Sequence, residues 1–361
     1  MLTLRERGGS DAVVEYLCSK VPKLCTSWIA GLTTLHYPII VACRFGRAAA
    51  LKTLIKTAPE TWDINATHAD FRTALQRTNL SFRTALQCAA YFGNIHCMEV
   101  LVVNGALLHH KNEADGRTAA HVAAGAGRLP ELEYLLLNNA VDRSENQGTP
   151  TLADIRDDNG TTALMNAVIS GRIDAVRLLI DYGANLTIRD HKFRSAFDYA
   201  CSADQAEILT LLLQHRPSSF SVHKSEGHPY NRPVMMALNQ GNPKCVDILV
   251  DAGAQLFEQI NSGSDSMTPL TYFVIRNIPH AVIIISRYAT SREEWVRSEE
   301  VYEDVVQIAA HGGSTEMVQT LLDLGFGKNG GRGIAAAVEA ARTNNHADVI
   351  EVLQKHQQNN Y

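Results

Sequence analysis

One pattern recurs along most of this 361-residue chain, and it limits the fold more than any other feature. Each copy opens on Thr-Ala/Pro-Leu and continues through a pair of small residues. A Gly follows nine positions after the Thr, then an aliphatic run, then Gly-Ala. The clearest copy runs Thr84-Ala85-Leu86, Ala89-Ala90, Gly93, Leu101 and Gly105-Ala106. Thr118–Ala140 and Thr162–Leu186 repeat it, and weaker copies follow to the end. The mid-repeat Gly or its stand-in falls at 9, 46, 93, 127, 171, 204, 241, 277, 313 and 345. The steps from 93 to 127 and from 171 to 204 are 34 and 33 residues. They give the underlying period, and the longer steps carry loop insertions.

The residues at these positions specify a helix pair. Thr is a good N-cap for the first helix. Pro233 and Pro269 sit just inside a helix start, where the missing N–H costs nothing. The mid-repeat Gly ends the first helix in a left-handed cap, and Asp204, Asn277 and Asn345 are the side chains that best tolerate that geometry. The second helix is apolar at helical spacing, as in Val176, Leu179 and Ile180. One such pair cannot bury its apolar face alone, so the units must stack. The final segment turns polar at Gln354-Lys355-His356-Gln357, as a terminal unit requires.

These motifs resemble the ankyrin-repeat family, over nearly the whole chain. The resemblance implies an all-α solenoid of about nine to ten helix-turn-helix units, with a concave groove and loop insertions. A single array would then occupy residues 1–361. It would comprise a partial N-terminal repeat at 1–31 and repeats at 32–58, 82–115, 116–140, 158–189, 190–215, 230–258, 266–290, 301–327 and 333–361. The insertions fall at 58–81, 141–156, 215–229 and 287–300. Within the first, Phe71–Gln76 is duplicated as Phe82–Gln87. The second reads as an extended finger loop, and the last as a short extra helix. The family's Thr-Pro-Leu-His histidine, a structural residue that bonds adjacent units, survives only at His121. Asp198 is the one replacement that brings in a charge, and it has either Lys192 or the groove to face.

Composition excludes several functions. The net charge is −5, without a concentrated basic stripe, so a nucleic-acid partner is not expected. No apolar run approaches a membrane span. The seven Cys form no CxxC pair and read as reduced thiols of an intracellular protein, cytoplasmic or nuclear. His109-His110 and His96-Cys97 are adjacent rather than ligand-spaced, so neither a metal nor a cofactor is expected. The glycine-rich run at 325–333 lacks the spacing of a phosphate loop.

In the family, the groove is lined by residues seven and eight positions after the repeat's Thr. Here these include Arg44, Phe45, Tyr91, Phe92, Arg276 and His311, with Tyr199 and Tyr272 one helical turn earlier. Arg and aromatic side chains combine apolar area with a polar handle, which suits partner binding. Arg83, Arg117, Arg194 and Asn231 would add polar contacts from the turn tips. The expectation is a monomeric, non-catalytic scaffold that binds another protein through the concave face and finger loops. The alternative is a small-molecule-binding or catalytic protein whose groove pocket uses Tyr91, His121, Asp198, Tyr199, Tyr272 and His311.

Overall fold

The computed structural model describes residues 36–56, 58, 63–65, 84–145, 151–217, 233–254, 256, 260–262, 265–288, 299–326 and 332–359. The partial N-terminal repeat, residues 66–83 with the first copy of the duplication, residues 218–232 and residues 289–298 of the expected extra helix lie outside these. The described residues form nine helix pairs and one short hairpin.

The chain divides into two compact units, residues 1–199 and 200–361. In the first, the short inner helices α1 (His36–Arg44), α3 (Ala85–Phe92), α5 (Ala119–Ala126) and α7 (Ala163–Ile169) stack in file. The outer helices α2 (Ala48–Lys56), α4 (Ile95–Val103), α6 (Leu129–Glu145) and α8 (Ile173–Asp181) make a second file behind them. Helix α9 (Ala196–Ser202) and its outer mate α10 (Ala206–Gln214) follow. In the second unit come α11 (Pro233–Gln240), α12 (Pro243–Asp251), α13 (Pro269–Ile275) and α14 (Pro279–Tyr288). The pairs α15 (Glu299–His311) with α16 (Thr315–Asp323) and α17 (Arg332–Thr343) with α18 (Ala347–Asn359) complete it. The hairpin precedes α13: β1 (Ile260–Ser262) runs antiparallel to β2 (Asp265–Met267), with Ile260 opposite Met267.

The inner helices α3, α7 and α13 are short because they are capped at both ends. Thr84, Thr162 and Thr268 each accept the backbone N–H three residues on. All nine described mid-repeat positions hold positive φ, Asp204, Asn277 and Asn345 among them. Alanines pack where the inner helices meet: Ala89, Ala90, Ala123 and Ala124 are fully buried. Leu101, Leu135 and Leu179 close the seam with the outer file at 0% exposure.

Side chains of neighbouring units bond across the junctions, and the junction between α3 and α5 is closed from both sides. At the mid-repeat end, the later unit reaches back to a carbonyl of the earlier inner helix. Asn94 donates to Cys43 O (2.7 Å), Arg128 to Tyr91 O (2.8 Å) and Asn242 to Cys201 O (2.7 Å). At the opposite end, the earlier unit reaches forward. His121 Nδ1 accepts from the Thr118 N–H, so Nε2 carries the proton and donates to Thr161 O at 3.1 Å. Gln87 takes the same role with Arg117 O at 2.6 Å, so loss of the histidine there did not cost the bond.

The finger turns of the first unit also join each other: Asp158 N–H donates to Asp115 O and His191 N–H to Asn159 O, both at 3.0 Å. Their tips are Gly116 (φ 67°) and Gly160 (φ 78°). A Cβ at either would come within 3 Å of the next finger's backbone nitrogen, so only Gly fits. Segment 141–156 is not the expected extended finger. Helix α6 continues to Glu145, and Leu152–Asp154 turns back in a 3₁₀ helix with Leu152 and Ala153 fully buried. The Asn139 side chain accepts the Leu152 N–H and pins that turn.

Candidate binding surface

The last turn of each inner helix lies beyond the packed alanines, so its side chains at positions seven and eight face outward. At the ends of α1 and α3 this brings four of the expected residues together. The Arg44 guanidinium lies 5.5 Å from the centre of the Phe45 ring and 5.4 Å from that of Phe92. Tyr91 meets Phe92 edge-on at 5.1 Å. Phe45 is 59% exposed, a large apolar area for a side chain of a stacked repeat. Arg128 closes the far side through its bond to the Tyr91 carbonyl.

The second unit holds a smaller version. Arg276 lies 5.5 Å from the Tyr272 ring centre, and Tyr272 stands edge-on to the buried Phe273. His311 is exposed at the end of α15, where its carbonyl accepts from His346.

Tyr199 is placed differently from the expectation. It is buried, and its hydroxyl donates to Asp190 Oδ2 at 2.7 Å. Arg194 stacks on its ring at 4.6 Å and forms an ion pair with the same carboxylate at 2.8 Å. Asp190 Oδ1 takes the Lys192 and Arg194 backbone N–H groups, each at 2.8 Å. Burial pushes the Asp190 carboxyl up, but the Tyr199 and Arg194 hydrogen bonds outweigh it and hold the group below its ordinary range. Burial, reinforced by Asp190, pushes the Tyr199 hydroxyl up.

Asp198 faces inward, not towards a groove, at 1% exposure. Its Oδ2 accepts from the Ser195 N–H and hydroxyl at 2.7 Å each, a capping box in which Asp stands where the family has His. Arg189 lies 3.9 Å away, and Oδ1 has no hydrogen-bond partner among the described residues. Burial pushes this carboxyl up to about 6, against the pull of Ser195 and Arg189. Burial also lowers His121, which stays neutral inside its junction.

Among the expected tip residues, Arg117 is held between Asp115 (3.6 Å) and Asp157 (3.7 Å), and Arg194 by Asp190. Arg83 and Asn231 lie outside the described residues. Three exposed apolar side chains were missed by a search for aromatics and arginines on the inner helices. Ile169 (45%) and Ile275 (55%) occupy position seven of their repeats, so the offset rule alone would have found them. Phe193 (49%) takes the finger-tip place of Gly116 and Gly160 at φ 60°, and no sequence signal marks that. No metal-binding cluster occurs among the described residues, and no helix among them is long and apolar enough to cross a membrane.

Comparison with known proteins places these features in context. A family profile described as Ankyrin repeats (3 copies) matches at residues 39–147, 86–190 and 144–224, together just over half of the chain. The ankyrin repeat protein FPV031 of fowlpox virus (strain NVSL) is 27% identical over 161 residues, 42% of this chain and 44% of that protein. Human ankyrin repeat and SOCS box protein 11 is 32% identical over 130 residues, 36% of each chain. The chain thus spans less than half the length of these relatives. The crystal structure of the human ASB11 ankyrin repeat domain aligns with a TM-score of 0.48 at 21% identity, covering 64% of this chain and 90% of that one.

Proposed function

Because the chain belongs to the ankyrin-repeat family, we propose that it is a non-catalytic scaffold that binds another protein through its exposed inner-helix ends and finger turns. The observation that carries this reading is the Arg44–Phe45–Tyr91–Phe92 cluster. It gathers aromatic area and a cation at the surface of two adjacent repeats, the composition from which binding hot spots are made. A stacked array also presents such a cluster already ordered, so docking costs little conformational entropy.

The same geometry weighs against the catalytic alternative. His121 is buried in a bond between repeats, and Asp198 and Tyr199 are buried in bonds that cap and brace their own repeat.

The test is affinity capture with the full chain, followed by crosslinking. A partner retained by the native chain should be lost on Tyr91→Ala plus Phe92→Ala, and weakened by Phe45→Ala alone. Phe45→Ala removes mainly exposed area and so guards against misfolding. Undiminished capture by both variants, each with native circular dichroism, removes this surface from consideration.

A further inference from the structure

We propose that the segment bound at the Arg44 cluster is an acidic peptide, whose carboxylates pair with Arg44, Arg128 and Arg172; this rests on the interaction-scaffold reading above. In the first unit Arg117, Arg189 and Arg194 form ion pairs. Arg44, Arg128 and Arg172 have no carboxylate partner among its described residues. The Arg44 guanidinium lies within cation–π distance of two rings, and its N–H groups make no hydrogen bond among the described residues. Arg128 spends Nε on the Tyr91 carbonyl, while its two Nη groups make no hydrogen bond among the described residues. Arg172 is exposed and leans over Gly127, and Asp174, two residues on, forms no ion pair with it.

These three arginines mark the ends of α1, α3 and α5, three consecutive inner helices. Neighbouring helices lie ~10 Å apart, and a peptide in the polyproline II conformation advances ~3.1 Å per residue with about three residues per turn, so every third side chain shares a face. Carboxylates about three residues apart would therefore meet successive arginines. Phe45 and Phe92 would receive an apolar side chain beside the first. Charge complementarity favours this occupant over a phosphate or a nucleic acid. One phosphate needs several converging donors, and a nucleic-acid backbone needs a denser basic stripe than three spaced arginines in a chain of net charge −5.

The probe is a library of random dodecapeptides displayed on phage and panned on the full chain. Enriched clones should carry Asp or Glu about every third residue. A fluorescein-labelled clone should bind about tenfold more weakly to Arg44→Gln, and more weakly still to the variant that also carries Arg128→Gln and Arg172→Gln. Its affinity should fall between about 50 and about 300 mM salt, as expected for exposed charges. Clones without acidic bias, no enrichment at all, or unchanged binding to the triple variant would overturn the proposal. So would a phosphoserine copy of the clone binding more than tenfold tighter than its Glu parent. Capture of a partner that is lost on Tyr91→Ala plus Phe92→Ala but kept on the triple Arg variant would reject the acidic segment alone. Capture kept on both would reject the binding surface itself.

Discussion

Arg44 and Arg194 both lay a guanidinium on an aromatic ring, and the two arrangements do opposite work. At Arg194 the carboxylate is supplied internally: Asp190 takes the guanidinium, the Tyr199 hydroxyl and two backbone N–H groups, so the cluster closes on itself and locks a finger to α9. At Arg44 the rings are present but no carboxylate accompanies them among the described residues, and Phe45 remains exposed. The same pair of residue types is thus structural where an Asp completes it and open to a ligand where none does. Residue type and repeat register do not separate the two cases; the third partner does.

If this contrast is right, the internal cluster should carry stability and the surface cluster none. The largest effect is expected for Asp190→Ala, which leaves the half-buried Arg194 cation and the buried Tyr199 hydroxyl without their acceptor. It should lower unfolding stability by about 3 kcal/mol in urea titrations. Next is Asp198→Asn. Because the folded-state pKa of Asp198 is raised to about 6, the folded chain binds this proton more tightly than the unfolded chain does. Its ionised form therefore weighs against folding above pH 6, and stability recovers as pH falls from about 6 towards 4. Asp198→Asn should gain about 2 kcal/mol at pH 8, with the gain gone near pH 4. A constant difference across that window would mean the carboxyl is not desolvated. Tyr199→Phe, which removes one buried hydroxyl bond, should cost about 1 kcal/mol. Arg44→Gln should change stability by less than about 0.5 kcal/mol. A larger loss would make the Arg44 cluster structural after all and erase the contrast.

Most of the architecture was legible because it is written in short-range chemistry. The Thr caps, the small pairs and the left-handed turn residues act within a few positions of themselves, and Asp204, Asn277 and Asn345 could be placed by their tolerance of positive φ alone. Tyr199 could not be placed in this way. Its offset in the repeat matches that of Tyr272, yet burial comes from Asp190, nine residues upstream on a finger whose path depends on the neighbouring finger. Asp198 was flagged as the unusual charge but not as a capping residue, because Ser195-x-x-Asp198 differs from the familiar Ser/Thr-x-x-Glu/Gln box by one methylene. The 141–156 segment misled for a related reason. Its polar residues conceal Leu152 and Ala153, which are buried in a turn that the Asn139 side chain bonds.

The side-chain bonds that bridge neighbouring repeats have a consequence for how such chains can evolve. Repeats of equal length look interchangeable, but a transplanted unit must bring the donor that its new neighbour expects. An ionised Asp198 moved to the seam held by His121 would offer no proton to the Thr161 carbonyl. Recombination that shuffled these units would yield sound modules with mismatched seams, so the order of the repeats matters to the stability of the stack.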